Sequence, residues 1–165
     1  MQKMDLKISS LPSDISILLL RVGLSALMLH HGLEKLEDPV GFSEFVVGKY
    51  FGFLPFGPLF WTYVAAFTQL LCPIGLALGI VTRPCALGLG MTMLFALVFH
   101  GMDTGLEGFP LTVVADHNYA FEMAAVYFMC FMYFLCSGPG RLSLYTLVMK
   151  KEPSREITLG IDTLL

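Results

Sequence analysis

Long apolar stretches alternate along the chain with short clusters of proline, glycine and charge. Four of the stretches approach the roughly 20 residues that an α-helix needs to cross a hydrocarbon core of about 30 Å. The first runs from about Ile15 to Leu36, behind Pro12, Ser13 and Asp14, which supply helix-start chemistry. The second runs from about Leu59 to Val81 and stops at Thr82-Arg83-Pro84, a turn too short to hold a domain. The third runs from Pro84, a residue suited to a first helical turn, to about Met102. The fourth runs from about Asn118 to Cys136, ahead of the breaker Ser137-Gly138-Pro139-Gly140. Lipid offers no partner to a free backbone N–H or C=O, so each stretch is expected to coil. The pattern predicts an all-α, membrane-embedded four-helix bundle. Gly23, Gly32, Gly75, Gly79, Gly88 and Gly90 are expected to let its helices approach closely.

The connections add detail. Between the first two helices, Phe42, Phe45, Val46 and Lys49 fall at helical offsets, and a proline-rich, aromatic stretch ending at Pro58 follows. This predicts a short interfacial helix, with Tyr50, Phe51, Phe53, Phe60 and Trp61 in an aromatic belt. Residues 15–143 are expected to form the transmembrane domain, between an N-terminal segment at 1–14 and a C-terminal tail at 144–165. The first apolar run is too long for a signal-peptide core and lacks a small-residue cleavage site, so it is expected to stay as an anchor.

Composition agrees with this picture. The 165 residues are 56% hydrophobic and 14% charged, with a mean hydropathy of +0.73, more than one small soluble core can bury. A net charge of −3 without a basic stripe excludes general nucleic-acid binding, so the lipid bilayer is the first partner. Charge also suggests an orientation. Lys3, Lys7, Arg83, Arg141, Lys150, Lys151 and Arg155 fall on the side of the termini, and only Lys35 and Lys49 fall opposite. Both termini are therefore expected on the cytoplasmic or stromal face. Cys72, Cys85, Cys130 and Cys136 form no close CxxC pair and are expected as small apolar filler, with an interhelical disulfide left open.

Ionisable groups inside membrane helices cost several kcal/mol unless they are paired or hydrated, which makes them candidates for function. Arg21 lies roughly 9 Å in from the inner end of its run and Gln69 roughly 15 Å in from the outer end of its own. The two are a candidate intramembrane pair, although Arg21 also has the option of reaching back to the inner headgroups. His31, His100 and Glu122 fall within about two turns of the outer boundary and form a candidate polar site. The histidines, with His30, equally suit helix ends at the water boundary, and Glu122 equally suits a helix N-terminus. Two histidines and a carboxylate from three helices show no paired-ligand spacing, so no metal is expected. Beside Phe99, Tyr119 and Phe121 they offer donors, acceptors and apolar walls for a quinone-type headgroup.

In order, Leu19-Leu20-Arg21-Val22-Gly23, His31-Gly32-Leu33-Glu34-Lys35, Gly75 to Arg83, His100, and Glu122 with Gly138-Pro139-Gly140-Arg141-Leu142-Ser143 resemble the DoxX family of small membrane proteins. The resemblance implies a four-helix bundle in membrane redox biology, linked to quinone-dependent sulfur oxidation or to complexes handling thiol stress. It also implies a bacterial inner membrane or, for an algal relative, a plastid thylakoid. Gln69 stands where the family usually has an acid, and Tyr145 where it has Asp, so proton-coupled chemistry is in doubt. The leading reading is an accessory, non-catalytic subunit packed against other integral membrane proteins of a redox or energy-converting complex. The second is a quinone-linked oxidoreductase subunit using His31, His100 and Glu122, and a small transporter is third. Quinone, lipid or pigment are the cofactors such an assembly implies.

Overall fold

The computed structural model describes residues 11–106, 109–111 and 118–149. Among them the chain forms α1 (Leu11–Glu37), α2 (Pro39–Phe42), a π-helical segment (Ser43–Gly48), α3 (Lys49–Phe51), α4 (Pro58–Leu78), α5 (Thr82–Asp103), α6 (Glu122–Ser137) and α7 (Leu144–Met149). No strand occurs among the described residues. The protein is an all-α membrane bundle. Three helices, α1, α4 and α5, are long and apolar enough to cross a membrane. Apolar α6 has 16 residues, about 24 Å of rise, and is shorter than the hydrocarbon core.

Helix ends depart from the expected ones for local reasons. Within the described residues α1 is already helical at Leu11, four residues before Ile15, and Ser16 Oγ donates to the Pro12 carbonyl at 2.9 Å. Residues 11–14 of the expected N-terminal segment are thus helical, and its first ten lie outside the described residues, as does 150–165 of the expected tail. α4 ends at Leu78 rather than Val81, because Gly79 turns left-handed at φ 70°. Its N–H donates to the Gly75 and Leu76 carbonyls, both at 3.0 Å, closing the last turn. α5 then starts at Thr82, before the expected Pro84. α6 starts at Glu122, not Asn118.

Packing runs α1 on α4, α4 on α5 and α5 on α6. The core gathers Leu24 and Met28 from α1, Leu76 from α4, Leu89 and Met93 from α5, and Tyr127, Phe131 and Phe134 from α6. Gly32 and Gly90 are among the glycines that allow close helix approach. A Cβ at Gly32 would sit 2.8 Å from Leu70 Cγ and 3.0 Å from the Ala66 carbonyl, and one at Gly90 would sit 2.6 Å from Met132 Cε. Gly23 was expected to do the same, but no other group lies within 4 Å of the place its Cβ would take. The four cysteines are free.

Between α1 and α4 the chain is helical from Pro39 to Phe51. Asp38 caps this run, accepting from the Gly41 N–H at 2.9 Å, with Pro39 in the first turn. Val47 and Phe51 are buried whereas Phe45, Phe53 and Phe56 are exposed. Phe51 therefore leaves the expected aromatic belt: its ring packs edge-on against Phe95 of α5, with centroids 5.1 Å apart. Trp61 is half-buried, its Nε1 donating to the Pro55 carbonyl at 2.6 Å.

Candidate functional site

Two polar places lie inside this apolar bundle. The first is built on Arg21. Its side chain is 1% exposed, and its guanidinium donates to the carbonyls of Pro139 and, at 2.7 Å, Leu142. Both belong to the loop that leaves the C-terminal end of α6, where the helix dipole favours a cation. Gly79 leaves the room: a Cβ there would lie 2.6 Å from Arg21 Nη1 and from Ser143 Cβ. Ser143 closes the loop by donating to the Gly140 carbonyl at 3.1 Å. Arg141 and Asp14 approach to 3.6 Å beside it. The expected pairing of Arg21 with Gln69 does not form, because Arg21 is engaged by this loop and Gln69 bonds Thr92 on α5 at 3.3 Å.

The second place is a cavity of about 670 Å³ enclosed by α1, α4, α5, the start of α6 and the helical run 39–51. Its volume suits a ligand of a few rings. Phe42, Val46, Val47, Phe51 and Leu54 cover one side, and Phe95, Ala96 and Met123 are among its further apolar walls. Polar groups enter at separate points. His31 and Lys35 come from α1, Gln69 from α4, Thr92 and His100 from α5 and Tyr127 from α6. The His31 ring stands edge-on to Tyr127 with centroids 5.7 Å apart, and its Nδ1 lies 3.8 Å from Glu34 Oε2. Lys35 Nζ donates to the His31 carbonyl at 3.1 Å and sits 4.8 Å from the centre of the Phe42 ring.

A latch holds the covering run against α5. Tyr50 donates a hydrogen bond to Asp103, and the Tyr50 ring stands edge-on to Phe99 at 5.1 Å. Lys49 lies 3.8 Å from the same carboxylate, and Tyr50 first, then Asp103, holds its ammonium above the usual lysine range.

The structure thus brings His31 and His100 to one cavity, together with Gln69, and leaves Glu122 outside its lining. Glu122 is exposed and its carboxylate accepts from the Tyr119 N–H at 3.2 Å, so it serves the start of its own helix. The sequence reading missed Lys35, Thr92, Trp61 and Tyr127 as cavity residues. Thr92 carried a usable signal, a hydroxyl in the middle of an apolar run. It also missed that His30, His31 and Glu34 place ligand atoms within 4.8 Å of one another. Donors around one zinc stand about 3.4 Å apart, so that trio would have to contract.

The DoxX family model matches residues 16–102, more than half of the chain. The chain belongs to the DoxX family. An uncharacterized protein of Haemophilus influenzae is 29% identical over 156 residues, covering 92% of this chain and 95% of that relative. No solved structure matches. Within this DoxX chain, Arg21, His31, Gln69, Thr92 and His100 all fall inside the matched residues, whereas Tyr127 and the loop that Arg21 binds lie beyond them.

Proposed function

We propose that this DoxX protein is an accessory membrane subunit of a redox assembly, not catalytic on its own, whose cavity holds the headgroup of a quinone. The observation that carries the reading is the cavity itself, apolar-walled yet entered by His31, Gln69, Thr92, Tyr127 and His100 from four helices. A quinone headgroup needs hydrogen-bond partners at its two oxygens and apolar surface around its ring. His31, Lys35, His100 and Tyr127 carry donors, Gln69 keeps a buried acceptor without a partner, and phenylalanines line the walls, so these residues fit such a group. When bound, a quinone supplies the uptake of two electrons and two protons. The chain's own part is to seat the headgroup under the run 39–51 and to keep it from bulk water.

Two further elements belong to the proposal. The domain extends past the matched residues to Ser143, since Arg21 near its start is tied to the loop at 139–142. Both termini face the cytoplasmic or stromal side, following the basic residues Arg83 and Arg141.

The test is purification from the native membrane in mild detergent, with every co-purifying protein, pigment and lipid identified. Partner redox subunits and about one extractable quinone per chain are expected, with His31→Ala and His100→Ala each weakening quinone retention about tenfold. A monomer that carries only phospholipid would overturn the reading.

A further inference from the structure

We infer that the quinone taken by this cavity is an acidic one, whose ring carries an ionised hydroxyl that pairs with the Lys35 ammonium. This deepens the quinone reading above and rests on it. Among the described residues that line the cavity there is no aspartate and no glutamate, and Lys35 is the only lysine or arginine. His31 and His100 add two imidazoles, and Tyr127 adds a phenol. The wall thus offers a ligand one fixed positive charge and several donors, with no carboxylate to repel an anion.

Lys35 is half-buried in the last turn of α1. Its Nζ stands between two other parts of the cavity wall, 3.1 Å from the His31 carbonyl and 4.8 Å from the centre of the Phe42 ring. The carbonyl takes one of its three protons and the ring offers only a quadrupole, so neither brings a negative charge. Carboxylates near this end of the bundle are engaged elsewhere. Glu34 lies 3.8 Å from His31 Nδ1 and is largely exposed, and Asp103 takes Tyr50 and Lys49. Asp38 caps the run 39–51 through the Gly41 N–H. Lys35 has no ion pair within 4 Å among the described residues. A cation in an apolar wall without a counter-charge is costly, and a ligand that carries the counter-charge recovers that cost through a charge-assisted hydrogen bond.

A hydroxyl beside a quinone carbonyl is a vinylogous carboxylic acid. It has lost its proton at neutral pH, and its charge is shared among ring oxygens that can only accept. Such a ring matches a wall of donors. The ionised oxygen takes the Lys35 ammonium, and the far carbonyl takes a donor from His100 or Tyr127, which enter from α5 and α6. Methylating the hydroxyl keeps the ring, its tail and both carbonyls but removes the charge.

The experiment compares an alkyl hydroxynaphthoquinone with its methyl ether at mildly alkaline pH. Both are measured by equilibrium dialysis of the purified full chain in mild neutral detergent, against a protein-free control. Quenching of Trp61, which is the chain's one tryptophan and lines the cavity, reports entry. The hydroxyquinone anion is expected to bind about tenfold tighter than the ether. Lys35→Met keeps the length of the side chain, removes the charge and should bring the two ligands within about twofold of each other, whereas Lys35→Arg should keep the preference. Equal affinity in the unaltered protein overturns the inference, as does a preference that survives Lys35→Met. Should Lys35→Met fail to fold, the comparison of the two ligands in the unaltered protein decides alone. Displacement of the hydroxyquinone by an equal concentration of laurate, an anion without a ring, also overturns it, because the site would then be one for fatty acids. Failure of both naphthoquinones to bind rejects the quinone reading itself, whereas equal binding of the two leaves that reading standing.

Discussion

Arg21 shows how a charge can be stationed in an apolar bundle without a counter-ion among the described residues. Its planar fork bridges two carbonyls of the loop after α6, and the partial negative charge at that helix end stands in for a carboxylate. Arg21→Leu would leave both carbonyls short of a donor and is expected to lower stability by on the order of 3 kcal/mol, read as a drop in Tm on the order of 10 °C in detergent. Arg21→Lys should rescue little, because one ammonium cannot match the two-pronged geometry. Gly79→Ala should cost more than about 1 kcal/mol by the same assay, since φ 70° and the adjacent guanidinium both oppose a Cβ. At this scale the sequence was legible in part. It marked Arg21, His31, Gln69 and His100 as unusual, because polar groups stand out in apolar runs. It could not assign their partners, because depth along a helix says nothing about the direction a side chain faces, and the loop at 139–142 was read as a stop and as part of the family resemblance, not as a partner for Arg21.

Among the elements, the three long helices and the shorter α6 were legible from apolar runs, while their ends moved wherever a cap outweighed hydropathy, as at Gly79 and Glu122. Glu122 makes the distinction testable. Glu122→Ala removes the acceptor for the Tyr119 N–H and should cost about 1 kcal/mol through fraying of α6. Quinone retention should stay within twofold of the unaltered protein, measured after extraction, because Glu122 is not in the cavity lining. The run 39–51 was foreseen as a helix at the interface, but its inward side was not. The alternation of Val47 and Phe51 with exposed Phe45 and Phe53 becomes meaningful only once α5 supplies Phe95 and Phe99. Besides the Phe51–Phe95 packing, its polar tie to α5 rests mainly on Tyr50, since the Lys49–Asp103 pair is solvent-exposed and weak. Tyr50→Phe should therefore speed amide exchange in residues 43–51 by severalfold and shorten ligand residence, with little change in Tm.

The whole molecule is one bundle hollow at one end and locked at the other. At the first end the helices surround the cavity under a covering run; at the second Arg21, Gly79 and Ser143 pack closely. The proposed orientation has a direct measurement. Cys136 is exposed at the end of α6, near Arg83, which donates to its carbonyl at 3.4 Å. In sealed vesicles of known sidedness, a membrane-impermeant maleimide should label Cys136 only from the cytoplasmic or stromal face, and labelling from the opposite face would reverse the topology.

The guanidinium bonds join residues 118 and 121 positions apart, and this has a consequence for biosynthesis. A ribosome delivers Arg21 to the insertion machinery long before it makes Pro139 and Leu142. Until then the first helix carries an unmatched cation, which only headgroups, water or a helper protein can tolerate. Release of the final loop is thus the event that completes insertion, and chains halted before residue 139 should be recognised by membrane quality-control proteases and degraded.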